Sequence, residues 1–299
     1  MDVSIIIVNY NTCELTKKCI ASIYEYTKEN SFEIILVDNH SSDQSVSVLS
    51  EQYPEVILLS NKENVGFGRG NNIGNAIATG KYVFFLNSDA YLISDAVKSF
   101  YDFMDDGQHA SVAVVGGELL TGNDFETVSY GNLPSVLEYV SYLGFKVFYQ
   151  NYFNKKLASG IINKDSDNRE VGYINGADMF FRKEVFDFLG GFDEDFFLYF
   201  EETELSHRVR ENGFTSMITP AVKIIHLVSF YRDTFSEFNY NKLKIYSLSR
   251  FLYFKKTRGL PAAFFTNLIT AILYILQGIL KKDKDNFLKK AWICLTTYS

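Results

Sequence analysis

Short apolar runs, each ended by a cluster of polar residues, set the rhythm of the N-terminal part of the chain. Ser4–Val8 ends in Asn9-Tyr10-Asn11, Phe32–Val37 in Asp38-Asn39-His40, Val56–Leu59 in Ser60-Asn61, and the run after Lys81 in Asn87-Ser88-Asp89. Apolar runs of this length read as strands buried on both faces. Between them lie stretches of helical period. One starts at Thr12 and puts Leu15, Cys19, Ile23 and Tyr26 on one face; another carries Val46 and Leu49. Alternation at this interval predicts right-handed βαβ units and a parallel sheet. Its carboxyl edge, where open α/β sheets hold their ligands, would carry a rim of Asn and Asp. A helix over Ser94–Asp106, closed by Gly107, and a fifth strand at Val112–Val115 extend the pattern.

From Thr121 to Glu170 the period is lost among aromatic residues such as Tyr139, Tyr142, Phe145 and Phe148. So long an irregular insertion reads as a lid or acceptor-binding element, or as a pair of helices whose period is obscured. Strands return at Gly172–Gly176 and Met179–Arg182, around Gly176-Ala177-Asp178, and a helix over Lys183–Leu189 stops at Gly190-Gly191. Phe192–Leu205 then mixes aromatic and acidic residues. Glu201, Glu202 and Glu204 at a helix start are stabilised by its dipole; the aromatic residues before them also desolvate a carboxylate and make it a better base. Two short strands, Thr215–Ile218 and Val222–Ile225, lead to His226.

The chain divides into an α/β domain over 1–240, with the 121–170 insertion, and a helical extension over 241–299. A helix is expected at Asn241–Lys256, followed by a long apolar one at Leu260–Leu280. The latter could cross ~30 Å of hydrocarbon. Its polar stripe of Asn267, Thr270, Tyr274, Gln277 and Lys281 favours a helix in the membrane interface, with Lys255, Lys256, Arg258, Lys281 and Lys282 at lipid headgroups. Packing on another helix or on a second subunit, as a homodimer, is the alternative.

Composition sharpens this only in places. A hydrophobic content of 47% supports a real core. The net charge of -7 hides an asymmetry, because the chain from Lys242 onward carries eleven Lys and Arg against Asp283 and Asp285. The acidic remainder argues against nucleic acid as a partner, whereas the basic end suits anionic lipid, an acidic acceptor, or a solvated helix surface. Cys13, Cys19 and Cys294 fit neither a disulfide framework nor a metal spacing, and Met1-Asp2 opens no secretory signal; both point to the cytoplasm.

Two features bear on chemistry. Asp89 at a strand tip can hold a divalent cation if a diphosphate supplies further oxygens, or can cap the helix that follows. Asn64–Gly74 is rich in glycine but misses the dinucleotide spacing: Asn71 and Ile73 stand where a third glycine is needed. Its glycines allow close backbone approach near a helix start, where an anion is favoured. A nucleotidyltransferase would need a glycine- and lysine-rich loop after the first strand, and Asn9–Glu14 offers neither.

Taken together, Ser4–Asn11, Val37–Asp43, Asn64–Gly74, Leu86–Asp89 and Gly190–Leu205 occur in the order seen in family 2 inverting glycosyltransferases of GT-A fold. The resemblance is strongest to the bacterial rhamnosyltransferase-like branch and covers about residues 3 to 230. It implies that Asn9, Tyr10 and Asp38 line the nucleotide pocket of a dTDP- or UDP-sugar. Asn39, Asn72, Asn87 and Ser88 would lie near the donor, and Asp89 with His226 would hold Mg2+ or Mn2+. The family's catalytic base falls on Glu202, with Glu201 and Asp178 as further candidates, and the acceptor would be a glycan or a lipid-linked sugar of the cell envelope. Asn87 and Asn71 stand where many relatives have an acid and an arginine, and Glu202 where Asp is usual. A non-catalytic nucleotide-sugar or glycan-binding protein of the same fold is the alternative.

Overall fold

The computed structural model describes residues 1–122, 125–162, 166–227, 239–281 and 284–298. Apolar residues of β1 (Val3–Asn9), β2 (Phe32–Asp38) and β4 (Tyr82–Leu86) are buried almost without interruption, because helices cover both faces of the sheet they form. With β3 (Ile57–Ser60) they pair in parallel in the order β3-β2-β1-β4, and the register sets Asn9 beside Asp38. Helices α1 (Cys13–Tyr26), α2 (Ser45–Gln52) and α3 (Phe67–Asn75) link them, followed by the short β5 (Ala90–Leu92) and α4 (Ala96–Asp105).

Beyond β4 the sheet becomes mixed. β11 (Asp178–Arg182) runs antiparallel to β4 and to β6 (Val112–Leu120), and β12 (Thr215–His226) pairs in parallel with β6. The two short strands expected at 215–218 and 222–225 are therefore one long strand. Its register slips between Ile218 and Lys223, where Pro220 cannot donate to the ladder and sits in the bulge. Likewise β6 runs well past Val115, through the buried pair Gly116-Gly117.

The 121–170 insertion is more ordered than its sequence suggests. It contains β7 (Val128–Gly131), α5 (Val136–Tyr142), the single turn α6 (Gln150–Tyr152) and β8 (Ile161–Ile162). β7 pairs with both β8 and β10 (Tyr173–Ile174) as a small second sheet, while β9 (Arg169–Val171) joins β12. After α7 (Lys183–Phe188) comes α8 (Glu201–Glu211).

The chain ends in α9 (Tyr240–Arg258), α10 (Leu260–Lys281) and α11 (Lys284–Thr296). One core cluster joins Phe251, Tyr253 and Phe254 of α9 and Ala263 of α10 to Tyr139 of α5 and to Phe196 and Phe200, the residues leading into α8. The C-terminal helices are thus packed onto the segment that delivers the acidic cluster.

Candidate active site

Neighbouring hydrogen bonds trace a continuous line along the carboxyl edge of the sheet. Asn9 is wholly buried and donates from Nδ2 to Asp38 Oδ1 at 2.7 Å and to Ser41 Oγ at 3.0 Å. Its Oδ1 accepts from Thr12 and Thr16. Thr12 Oγ1 lies 3.0 Å from Ser88 Oγ, tying the tip of β1 to the tip of β4. There the Asp89 carboxylate faces His226 at the end of β12, with Oδ1 3.3 Å from Nε2, and the same ring nitrogen lies 3.4 Å from Asn87 Nδ2. The Asn87 amide donates to Ala177 O, and at adjacent Gly176 an added Cβ would stand 3.7 Å from Glu202 Cβ. Asp38, Asp89 and Glu202, remote in sequence, thus converge on one sheet edge.

Asp89 is nearly buried, and its Oδ2 has no hydrogen-bond partner among the described residues. An orphaned carboxylate oxygen costs free energy unless something cationic or protic completes it. One carboxylate and one imidazole make an incomplete shell for a divalent cation, suited to an ion that takes its remaining oxygens from a diphosphate and water. No group of three or more His, Cys, Asp or Glu is arranged to hold a metal among the described residues.

The glycines of Asn64–Gly74 allow close packing. Gly66 has φ 90°, and a Cβ there would lie 2.2 Å from Phe197 O. A Cβ on Gly68 would meet Phe192 at 2.9 Å, and one on Gly74 would meet Ile6 at 2.6 Å. α3 therefore lies close against β1 and the segment before α8. Asn72 uses both ends of its amide on the Phe192 backbone, donating to O at 2.8 Å and accepting from N at 2.9 Å. Asn71 donates to Phe67 O, and Asn39 is bonded to Gly66 O and Asn61. Asn39, Asn71 and Asn72 thus hold the loop in shape, whereas Tyr10 is half-exposed at the rim.

Tyr199 and Phe200 have φ of 71° and 69°, a left-handed conformation that costs bulky residues energy and persists only where packing imposes it. They turn the chain so that α8 starts with Glu201 and Glu202 against the sheet edge. Burial raises both carboxyls above their ordinary range, Glu201 far above, with the neighbouring Glu202 charge adding to its shift. Glu201 is 4% exposed and has one oxygen without a partner among the described residues. Glu202 accepts a hydrogen bond from Thr203 Oγ1 at 3.0 Å and is more accessible. It faces a cavity of about 110 Å³ lined also by Pro134, Ser159, Tyr173, Tyr199 and Tyr246. Asp178, by contrast, is sealed inside the sheet, where it accepts from Gly117 N at 2.6 Å; burial pushes its carboxyl well above the usual range.

Four cavity residues lie outside the motifs legible in the sequence: Pro134 and Ser159 in the insertion, Tyr173 on β10 and Tyr246 on α9. Glu138 holds Ser159 in place, accepting from its N at 3.0 Å and its Oγ at 2.7 Å, and Tyr173 donates to Ser159 O. Only the aromatic run before Glu201 signals Tyr199; nothing local marks Tyr246.

The fold is the GT-A fold. The solved mannosyltransferase PcManGT from Pyrobaculum calidifontis, a complex with GDP-Man and Mn2+, superposes with a TM-score of 0.57 at 16% identity, over 98% of this chain and 84% of that one. GalNAc-T7 with UDP, GalNAc and Mn2+ gives a TM-score of 0.65 at 13% identity, over 96% of this chain and 54% of that one. The profile described as "Glycosyl transferase family 2" matches residues 4–190, and the chain belongs to that family. It is a glycosyltransferase. A poly(ribitol-phosphate) beta-glucosyltransferase of Bacillus spizizenii is 34% identical over 113 residues, 36% of this chain and 18% of that protein. An N-acetylglucosaminyl-diphospho-decaprenol L-rhamnosyltransferase of Mycobacterium tuberculosis is 23% identical over 240 residues, 74% of this chain and 75% of its own length.

Proposed function

We propose that this chain inverts the anomeric centre of a sugar, with rhamnose a candidate, as it moves it from a dTDP- or UDP-linked donor to a hydroxyl of a glycan or lipid-linked acceptor. The setting is the cytoplasmic stage of cell-surface polysaccharide synthesis, which suits the three free thiols and the named activities of the relatives. The observation that carries the reading is the placement of Glu202: a carboxylate with raised pKa, beside a cavity, at the end of the line that starts from Asp38 and passes Asp89.

In this reading Asp38 and Asn9 receive the nucleoside and the tyrosine-lined cavity receives the acceptor. Glu202 takes the proton from the acceptor hydroxyl. The hydroxyl oxygen bonds to the anomeric carbon as the bond from that carbon to the diphosphate breaks on the opposite face, and the proton stays on Glu202. Asp89 and His226 would hold a divalent cation, Mg2+ or Mn2+, which when bound would neutralise charge on the leaving diphosphate.

A thermal-shift screen of nucleotide sugars with and without Mn2+ tests the donor assignment, because a specific ligand at about 100 times its Kd stabilises the fold by ~2.7 kcal/mol. Magnetic resonance of the product then reads the new linkage. Inversion is expected; a retained anomeric configuration, or no stabilising donor, overturns the proposal.

A further inference from the structure

The largest mismatch between this surface and that of an ordinary soluble protein lies on α10. A helix at a protein surface normally turns its apolar stripe inward and its polar face outward, but α10 is apolar on both sides. Ala263, Thr266, Asn267, Ile269, Ala271 and Gly278 face the protein, while Phe264, Leu268, Ile272, Ile275 and Ile279 form one exposed stripe at three- and four-residue spacing. Trp292 on α11 is also exposed, at 67%. Contiguous apolar surface of this kind marks a contact site.

We infer that α10 and α11 dock the enzyme on an anionic bilayer surface, with α10 lying in the plane of the headgroups. Charge complementarity selects this occupant. Lys255 and Arg258 precede the stripe, Lys281 ends it and Lys289 follows on α11, all exposed, in a C-terminal stretch with eleven basic residues and two acidic ones. Lys256 is engaged by Asp193 and Asp195, and Lys282 lies outside the described residues.

The inward face explains why the helix lies on the membrane rather than across it. Arg250 of α9 is 2% exposed and donates to Asn267 Oδ1 from Nε at 3.0 Å and from Nη2 at 2.7 Å. Spanning the bilayer would strip Arg250 of this acceptor and carry Asn267 and Gln277 into hydrocarbon, where unpaired polar groups are costly. Because the α9–α10 core also holds Phe196 and Phe200, docking would bring the Glu202 cavity close to the lipid surface.

The inference does not depend on which sugar is transferred, and its test does not read activity. Flotation with phosphatidylcholine vesicles, with and without phosphatidylglycerol, should show binding of the full chain only to the anionic set, weakened by salt. Ile272→Glu with Ile279→Glu, both at exposed positions, should lower the bound fraction about tenfold or more without changing the melting temperature. Should that pair fail to fold, the triple change Lys255→Glu, Arg258→Glu and Lys281→Glu decides, with about a fivefold loss per basic residue removed. Flotation of the wild type that is absent, or equal in the variants, overturns the inference. So does a dimer seen by light scattering that the same substitutions dissociate while vesicle binding is nil.

Discussion

Replacing Glu202 by Gln isolates the proposed base, because the side chain keeps its length and the Thr203 hydroxyl can still donate to the retained carbonyl oxygen. What disappears is the ability to take a proton. Loss of general-base catalysis typically costs about 10²–10⁴ in rate, or roughly 3 to 5 kcal/mol of transition-state stabilisation. Donor affinity should be unchanged, since the nucleoside is assigned to Asp38 and Asn9 at the other end of the site. Stability supplies a second readout. The Glu202 pKa is raised by burial, so ionisation is disfavoured in the folded state, and that contribution to stability is lost as pH rises through the raised pKa. Gln has no such charge; the variant should therefore melt no lower than wild type at alkaline pH, with a flatter dependence on pH. The assay pairs single-turnover transfer of a radiolabelled donor sugar with nucleotide titration. Transfer within tenfold of wild type, at equal donor affinity, would refute the assignment and direct attention to Glu201.

Four further outcomes follow from the same geometry. Since the base acts ionised, kcat/KM of the wild type should fall as pH drops through a value above the ordinary 4.5 of a glutamate, and this limb should vanish in Glu202→Gln. Gly66→Ala puts a Cβ against Phe197 O at a φ of 90° and should cost about 2 to 4 kcal/mol in urea unfolding. Arg208→Ala removes a partly buried pair with Glu204 and the bonds to Leu189 O and Gly191 O that fix the turn after α7; calorimetry should show a loss of about 2 to 3 kcal/mol. Asp89→Asn should abolish the Mn2+-dependent part of nucleoside-diphosphate stabilisation while leaving the ligand-free melting temperature within about 2 °C.

The parallel half of the fold was legible because β1, β2 and β4 are buried on both faces, and burial of that kind writes itself as continuous apolar runs with polar ends; β3, read the same way, is instead a half-exposed edge strand. The GT-A class came from the resemblance of five ordered motifs to family 2 glycosyltransferases, three of them at those strand ends. The antiparallel half was harder. β12 reads as two strands because Thr219-Pro220-Ala221 interrupts its apolar pattern, and only pairing with β6, distant in sequence, joins the pieces. The Asn64–Gly74 glycines do not reveal in sequence that Phe192 and Phe197 occupy the space beside Gly68 and Gly66. The polar stripe of α10 is visible in sequence, but its direction is not. Asn267 turns inward because Arg250, on another helix, is there to meet it.

The same long-range logic explains how the acidic cluster is held. Two adjacent carboxylates with little solvation, entered through two residues of left-handed backbone, cannot be stable on local terms. Phe200 is one of those strained residues, and it is also buried among Phe251, Tyr253 and Phe254 of α9. Ser249 on the same helix donates to Leu198 O at 2.7 Å, gripping the strained turn by its backbone. The energy that bends the chain toward the sheet edge therefore comes in good part from a helix beyond residue 240, outside the stretch that carries the family motifs. Tyr246, on that helix, lines the cavity facing Glu202. α9 is in this sense part of the candidate active site: it holds the backbone turn that leads Glu202 to the sheet edge, and through Tyr246 it supplies a wall of the space where the acceptor is proposed to bind.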